Sequence, residues 1–183
     1  MTSKVFITGG SGLLALNWAI AIRDSHNVTL GLHKQAVKIQ GVNTQKIDLE
    51  SVEHLTQVFD ESGTNIVLHA AGYTNIEACE VSPTMARHIN VNLANNVAKA
   101  CAKLGLPLIH ISTDHLYAGH KSMLDEFCVL KPLNCVGAVY LPIGRRHRIN
   151  VDIAQERREA DLAHMHGATT QSCAFFVCAI TAP

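Results

Sequence analysis

Thr8-Gly9-Gly10-Ser11-Gly12-Leu13-Leu14-Ala15 is the stretch on which the fold turns. It follows a short apolar run, Val5-Phe6-Ile7-Thr8, and leads into Leu13 to Arg23, where Leu13, Leu14, Trp18, Ile20 and Ala21 recur at helical spacing. A buried strand, a glycine turn and a helix in that order open a βαβ unit. Gly9 permits the tight turn, Gly12 lets the backbone approach a pyrophosphate, and Ala15 stands where a third glycine often packs helix against strand. The start of the helix, at Leu13 and Leu14, then offers N–H groups and a positive dipole end to phosphate. A left-handed turn with no ligand would use the same glycines. The position between an N-terminal strand and a helix selects the nucleotide reading.

Further strands and helices alternate after this unit. Val28 to Leu32 reads as a second strand, and Lys46-Ile47 as the start of a short third one. Ser51 to Phe59 looks helical with Ser51 as cap, and Asn65 to His69 is a fourth strand. Ser82-Pro83 opens a long helix with serine as cap and proline in the first turn; it stops at Gly105 after Leu104. Leu106 to Ser112 is a fifth strand. This alternation predicts an α/β protein: a Rossmann-type, doubly wound parallel sheet of about five strands. The Rossmann domain is placed at residues 1–134 and a divergent tail at 135–183.

The end of the second strand addresses the adenosine ribose in such folds, and an acid there favours NAD. Leu32-His33-Lys34 carries none. Lys34 reads either as a partner for a 2′-phosphate, which favours NADP(H) over NAD, or as a solvated lysine. Asp48 reads either as a contact to the adenine edge or as the beginning of a helix.

Composition narrows the function classes. Of 183 residues, 48% are hydrophobic and 16% charged, the balance of a globular chain. Fifteen Lys+Arg offset fifteen Asp+Glu, so there is no basic excess to seek nucleic acid or an anionic membrane. No apolar run approaches the about 18–20 residues of a membrane span, and the N-terminus lacks the features of a secretory signal, which predicts a cytoplasmic protein. The six cysteines, Cys79, Cys101, Cys128, Cys135, Cys173 and Cys178, include no CxxC pair and read as small buried hydrophobes. His164-Met165-His166 with Cys173 and Cys178 fits no standard zinc spacing, so no metal is expected. The Arg145 to Arg148 cluster reads as solvated surface.

Five motifs, in order, resemble the extended short-chain dehydrogenases. They are the glycine turn, His69-Ala70-Ala71-Gly72-Tyr73-Thr74, Ala78-Cys79-Glu80, Ile89-Asn90-Val91 and Ile109-His110-Ile111-Ser112-Thr113-Asp114. The subgroup resembled is that of dTDP-4-dehydrorhamnose reductase, which includes the regulatory beta subunit of methionine adenosyltransferase; the likeness covers about residues 3–134. It implies that Ala70, Ala71 and Gly72 line the cofactor and that Asn90 braces that region from the long helix. Thr113 would be the catalytic hydroxyl, bonded to a substrate carbonyl, with Ser112 and Asp114 beside it. The implied reaction is hydride transfer from NAD(P)H to the keto group of a nucleotide-linked sugar. From the residues alone, a hydroxyl at the end of a central strand suits either that role or a cap on the next turn.

The resemblance breaks at the proton donor. The family places a tyrosine, with a lysine four positions on, just after a Pro-x-Asn stretch. Pro132-Leu133-Asn134 is present, but Val136 and Tyr140 stand at those two places. Residues 135–183 match none of the family's further strands and substrate-binding region. The chain is therefore expected to behave as a truncated copy with one sheet edge open, weakly stable and prone to associate with itself. Two functions remain: a sugar-nucleotide reductase, or a cofactor-binding or regulatory protein without catalysis.

Overall fold

The computed structural model describes residues 2–118, 129–139 and 177–180. In β1 (Lys4–Thr8) only Lys4 is exposed; the next four residues are buried. That is the pattern of a central parallel strand covered on both faces. It pairs in parallel with β2 (Asn27–Leu32) on one side and β4 (Ile66–His69) on the other. β3 (Asn43–Lys46) flanks β2, and β5 (Leu108–Ile111) flanks β4, giving five parallel strands in the order β3-β2-β1-β4-β5. The strand order reverses between β1 and β4, where open α/β sheets form a crevice at their carboxyl ends.

α1 (Leu13–Ile22) covers one face, with Ala15 and Ala19 against Val5, Ile7, Val28, Leu30 and Leu68. α2 (Val52–Glu61) and α5 (Ala94–Leu104) cover the other, around Phe6, Leu55, Phe59, Val67 and Val97. The rings of Phe6 and Phe59 meet edge to face at 5.0 Å, an arrangement worth about 1 kcal/mol beyond the area it buries. Ser51 caps α2 as expected, its hydroxyl accepting the His54 N–H at 3.1 Å. Gly105 ends α5 at φ +65°, the left-handed position that glycine takes without strain.

Several expectations are corrected. The third strand is Asn43–Lys46, not a start at Lys46-Ile47; all four of its residues are exposed, so this edge strand carries no apolar alternation. Ile47, just beyond it, is buried and donates its N–H to the Leu32 carbonyl. The long helix is not uniform: α4 (Pro83–Arg87) and α5 are joined by a π-helical turn, His88–Leu93. Pro83 sits in the first turn of α4, but Ser82 makes no side-chain capping bond. An unforeseen helix, α3 (Ile76–Val81), runs into Ser82, whose N–H closes it on the Ala78 carbonyl. The outer edge of β5 is not open. β6 (Val177–Ile180) pairs with it antiparallel, from Leu108 opposite Ile180 to Ile111 opposite Val177. This pairing satisfies backbone groups of β5 that an edge would leave unpaired.

Cys79 and Cys101 are buried, and burial pushes the Cys101 thiol up to about 12. No described helix is long and apolar enough to cross a membrane. Cys128, Tyr140, Arg145 to Arg148, His164 to His166 and Cys173 lie outside the described residues.

Candidate functional site

The carboxyl ends of β1 and β4 come together through Gly9. Its φ is +71°, and a Cβ there would lie 2.6 Å from Ala71 N, 2.7 Å from Ala71 Cα and 2.8 Å from Ala70 C. The glycine turn therefore rests on the backbone of the Ala70-Ala71 segment, which only a residue without a side chain allows. Gly10 was assigned no role by the sequence, yet it donates its N–H to the Gly31 carbonyl at 3.0 Å, and a Cβ on it would fall 2.8 Å from Leu30 Cβ. The paired glycines were the available signal.

Gly12 is different. It has extended backbone, φ −78° and ψ 151°, and among the described residues a Cβ would meet only the Gly9 carbonyl oxygen, at 3.2 Å. No other described residue fills the space in front of it. Among the described residues no side chain caps α1, so the N–H groups of its first turn face that space. Leu13 stands 80% exposed beside it. An uncapped helix start, an open glycine and an exposed leucine form a cradle that fits a pyrophosphate. Ala15 is fully buried under it, in the place foreseen for the small packing residue.

The other predicted residues fall around this cradle. Ala70 is half-buried and donates its N–H to the Thr8 carbonyl at 3.3 Å. Gly72 is exposed in the loop beyond it. Asn90 is buried in the π-helical turn and clamps that loop: its side-chain oxygen accepts the Tyr73 N–H at 2.6 Å, and its amide donates to the Tyr73 carbonyl at 2.9 Å. A π turn shifts register by one residue and is frequent at functional sites. Lys34 is exposed two residues past β2. Asp48 is exposed too, and its carboxylate accepts the Glu50 N–H at 2.9 Å in the turn before α2.

Thr113 follows β5, and its hydroxyl accepts the His115 N–H at 3.2 Å, within the 3₁₀ turn Asp114–Leu116. The Pro132-Leu133-Asn134 stretch docks on that turn. The Asn134 amide meets His115 Nδ1 at 3.0 Å, and its oxygen accepts the Gly137 N–H at 3.0 Å. Gly137 abuts the His115 carbonyl so closely that no Cβ fits. The Glu80 carboxylate accepts the Cys135 N–H at 2.6 Å. These bonds seat a helical turn at 135–139 beside the site. Val136, where the resemblance puts the tyrosine, is 1% exposed among Cys79, Ala86, Val91, Leu116 and Val139. Its side chain has no proton to give.

Sequence reasoning missed what lies beneath the turn. His69 Nδ1 and the Thr8 hydroxyl are 2.6 Å apart, both buried. The His69 ring stacks on His110, centroids 5.3 Å apart and planes at 16°. Burial first, and the neighbouring His110 second, push the His69 pKa down to about 3, so its imidazole is neutral.

Comparison with known proteins agrees with this geometry. The beta subunit of methionine adenosyltransferase 2 from Mus musculus is 31% identical over 140 residues, covering 75% of this chain and 40% of that protein. A dTDP-4-dehydrorhamnose reductase from Aggregatibacter actinomycetemcomitans is 24% identical over 135 residues, covering 73% and 42%. The crystal structure of dTDP-4-dehydrorhamnose reductase from Bacillus anthracis str. Ames in complex with NADP superposes with a TM-score of 0.66 at 28% identity, over 77% of this chain and 47% of that one. The chain thus spans about two-fifths of the length of these curated relatives. Residues 3–141 match the model of the RmlD substrate binding domain, and the chain belongs to that family.

Proposed function

We propose that the chain binds a nicotinamide dinucleotide at the Gly9–Gly12 turn, without the proton transfer of a reductase. The observation that carries the binding is the open, uncapped cradle at Gly12 and α1. The first-turn N–H groups of α1 hold the pyrophosphate, and Ala70, Ala71 and Gly72 line the path beyond it. The absence of an acid at the end of β2, with Lys34 exposed there, favours NADP(H) over NAD. A bound dinucleotide supplies a hydride; reducing a ketone needs a proton as well. Val136 holds an apolar side chain where a proton donor would stand, so cofactor binding is separated from turnover.

The reductase reading rests on Thr113, whose hydroxyl lies two residues past β5 and suits a bond to a sugar carbonyl, and on relatives named dTDP-4-dehydrorhamnose reductase. An assay of NADPH oxidation with a dTDP-4-keto-sugar separates the two. The expected result is no oxidation above the protein-free rate under conditions where NADPH binds. Turnover abolished by Thr113→Val would establish the reductase instead.

A further inference from the structure

Thr8, His69 and His110 form one buried row across three strands. The register pairs Thr8 with His69 and His69 with His110. In-register residues of adjacent parallel strands face the same side of a sheet. The three are 0%, 1% and 3% exposed. Thr8 immediately precedes Gly9, and His69 immediately precedes Ala70. The 2.6 Å bond between them therefore ties together the two backbone segments that meet at the cradle.

This arrangement is poor for stability alone. His69 Nε2 is buried with no hydrogen-bond partner among the described residues. A neutral imidazole has one donor and one acceptor nitrogen, so whichever tautomer serves Thr8 leaves the other nitrogen unsatisfied. Such an atom destabilises the folded chain; a phenyl ring would remove it, while leaving the buried Thr8 hydroxyl without its imidazole partner. A flat ring pinned by stacking on His110, with one nitrogen bonded to Thr8, holds a fixed distance that an apolar side chain does not.

We infer that His69 is a positioning residue for the dinucleotide: through its bond to Thr8 it sets the spacing between the Gly9 turn and the Ala70-Ala71 segment. The inference rests on the cofactor reading above. The test is titration with NADPH, and thermal melting, of the unsubstituted chain, His69→Phe, Thr8→Val, Thr8→Ser and the His69→Phe/Thr8→Val pair. His69→Phe and Thr8→Val are each expected to weaken binding about tenfold, the double variant no more than either alone, with Thr8→Ser retaining affinity. The His69→Phe/Thr8→Val pair, which removes both buried polar partners, is expected to melt at or above the temperature of the unsubstituted chain. Unchanged affinity in both single variants, additive losses, or losses that merely follow melting temperature overturn the inference. Should His69→Phe not fold, Thr8→Val, which keeps the side chain's shape, decides against Thr8→Ser. Failure of the folded, unsubstituted chain to bind either NADPH or NADH overturns the cofactor reading itself, and this inference with it.

Discussion

Replacing Gly9 by alanine is expected to lower stability by about 3 kcal/mol and to abolish dinucleotide binding. Two costs add. A non-glycine residue held at φ +71° carries about 1–3 kcal/mol of strain. The new Cβ would also lie within 2.6–2.8 Å of three backbone atoms of Ala70 and Ala71. No side-chain rotation relieves a clash with backbone, so the segment must shift, at about 1–3 kcal/mol. The same shift moves the floor of the cradle. Urea denaturation reads the first effect and NADPH titration the second. Gly12→Ala is the matched control: its backbone is extended and its Cβ meets one oxygen at 3.2 Å, so it should change stability by under about 1 kcal/mol. Equal losses for the two alanines would contradict the assignment of Gly9 as the turn that rests on the Ala70-Ala71 segment.

The second large effect appears in acid. Folded His69 stays neutral down to about pH 3, whereas unfolded it takes up a proton near its ordinary value of 6.5. Between those values the unfolded chain binds more protons, so stability rises with pH across the window. The contribution is fully present above pH 6.5, is lost as pH falls toward 3, and changes no further below that. Its slope reaches about 1.4 kcal/mol per pH unit for one fully withheld proton. Carboxylates add their own dependence. Glu53, for example, is held low by a backbone hydrogen bond and by Lys103, but that dependence is common to a His69→Phe variant. Denaturation of both proteins between pH 7 and 4 should show the variant losing less stability. Parallel curves would show that His69 already exchanges its proton in the folded chain.

The sequence is most readable where geometry forces a residue type. Gly9 and Gly105 must adopt positive φ, and Ser51 must satisfy an orphan N–H, so each announces itself locally. Four of the five parallel strands, β1, β2, β4 and β5, follow from apolar runs. What stayed hidden depends on partners distant in sequence. β3 is a polar edge strand visible only through its pairing with β2. Ser82 looks like a cap until α3 is seen to end on it. The π turn around Asn90 has no residue signature, although the bracing role assigned to Asn90 matches its two bonds to Tyr73. The Thr8–His69–His110 row requires the register of three strands, and β6 requires knowing that Val177–Ile180 returns to β5. Thr113 follows β5, and its hydroxyl accepts a turn N–H.

The proposed binding of a nicotinamide dinucleotide on the Gly9–Gly12 turn is decided by calorimetric titration of the unsubstituted chain and of Gly12→Val with NADPH and NADH. The expected result is saturable binding at one site, tighter for NADPH, and its loss in Gly12→Val with the melting temperature little changed, because a side chain there enters the open cradle rather than the core. A folded chain that binds neither dinucleotide, or a Gly12→Val variant that binds as well as its parent, would contradict it.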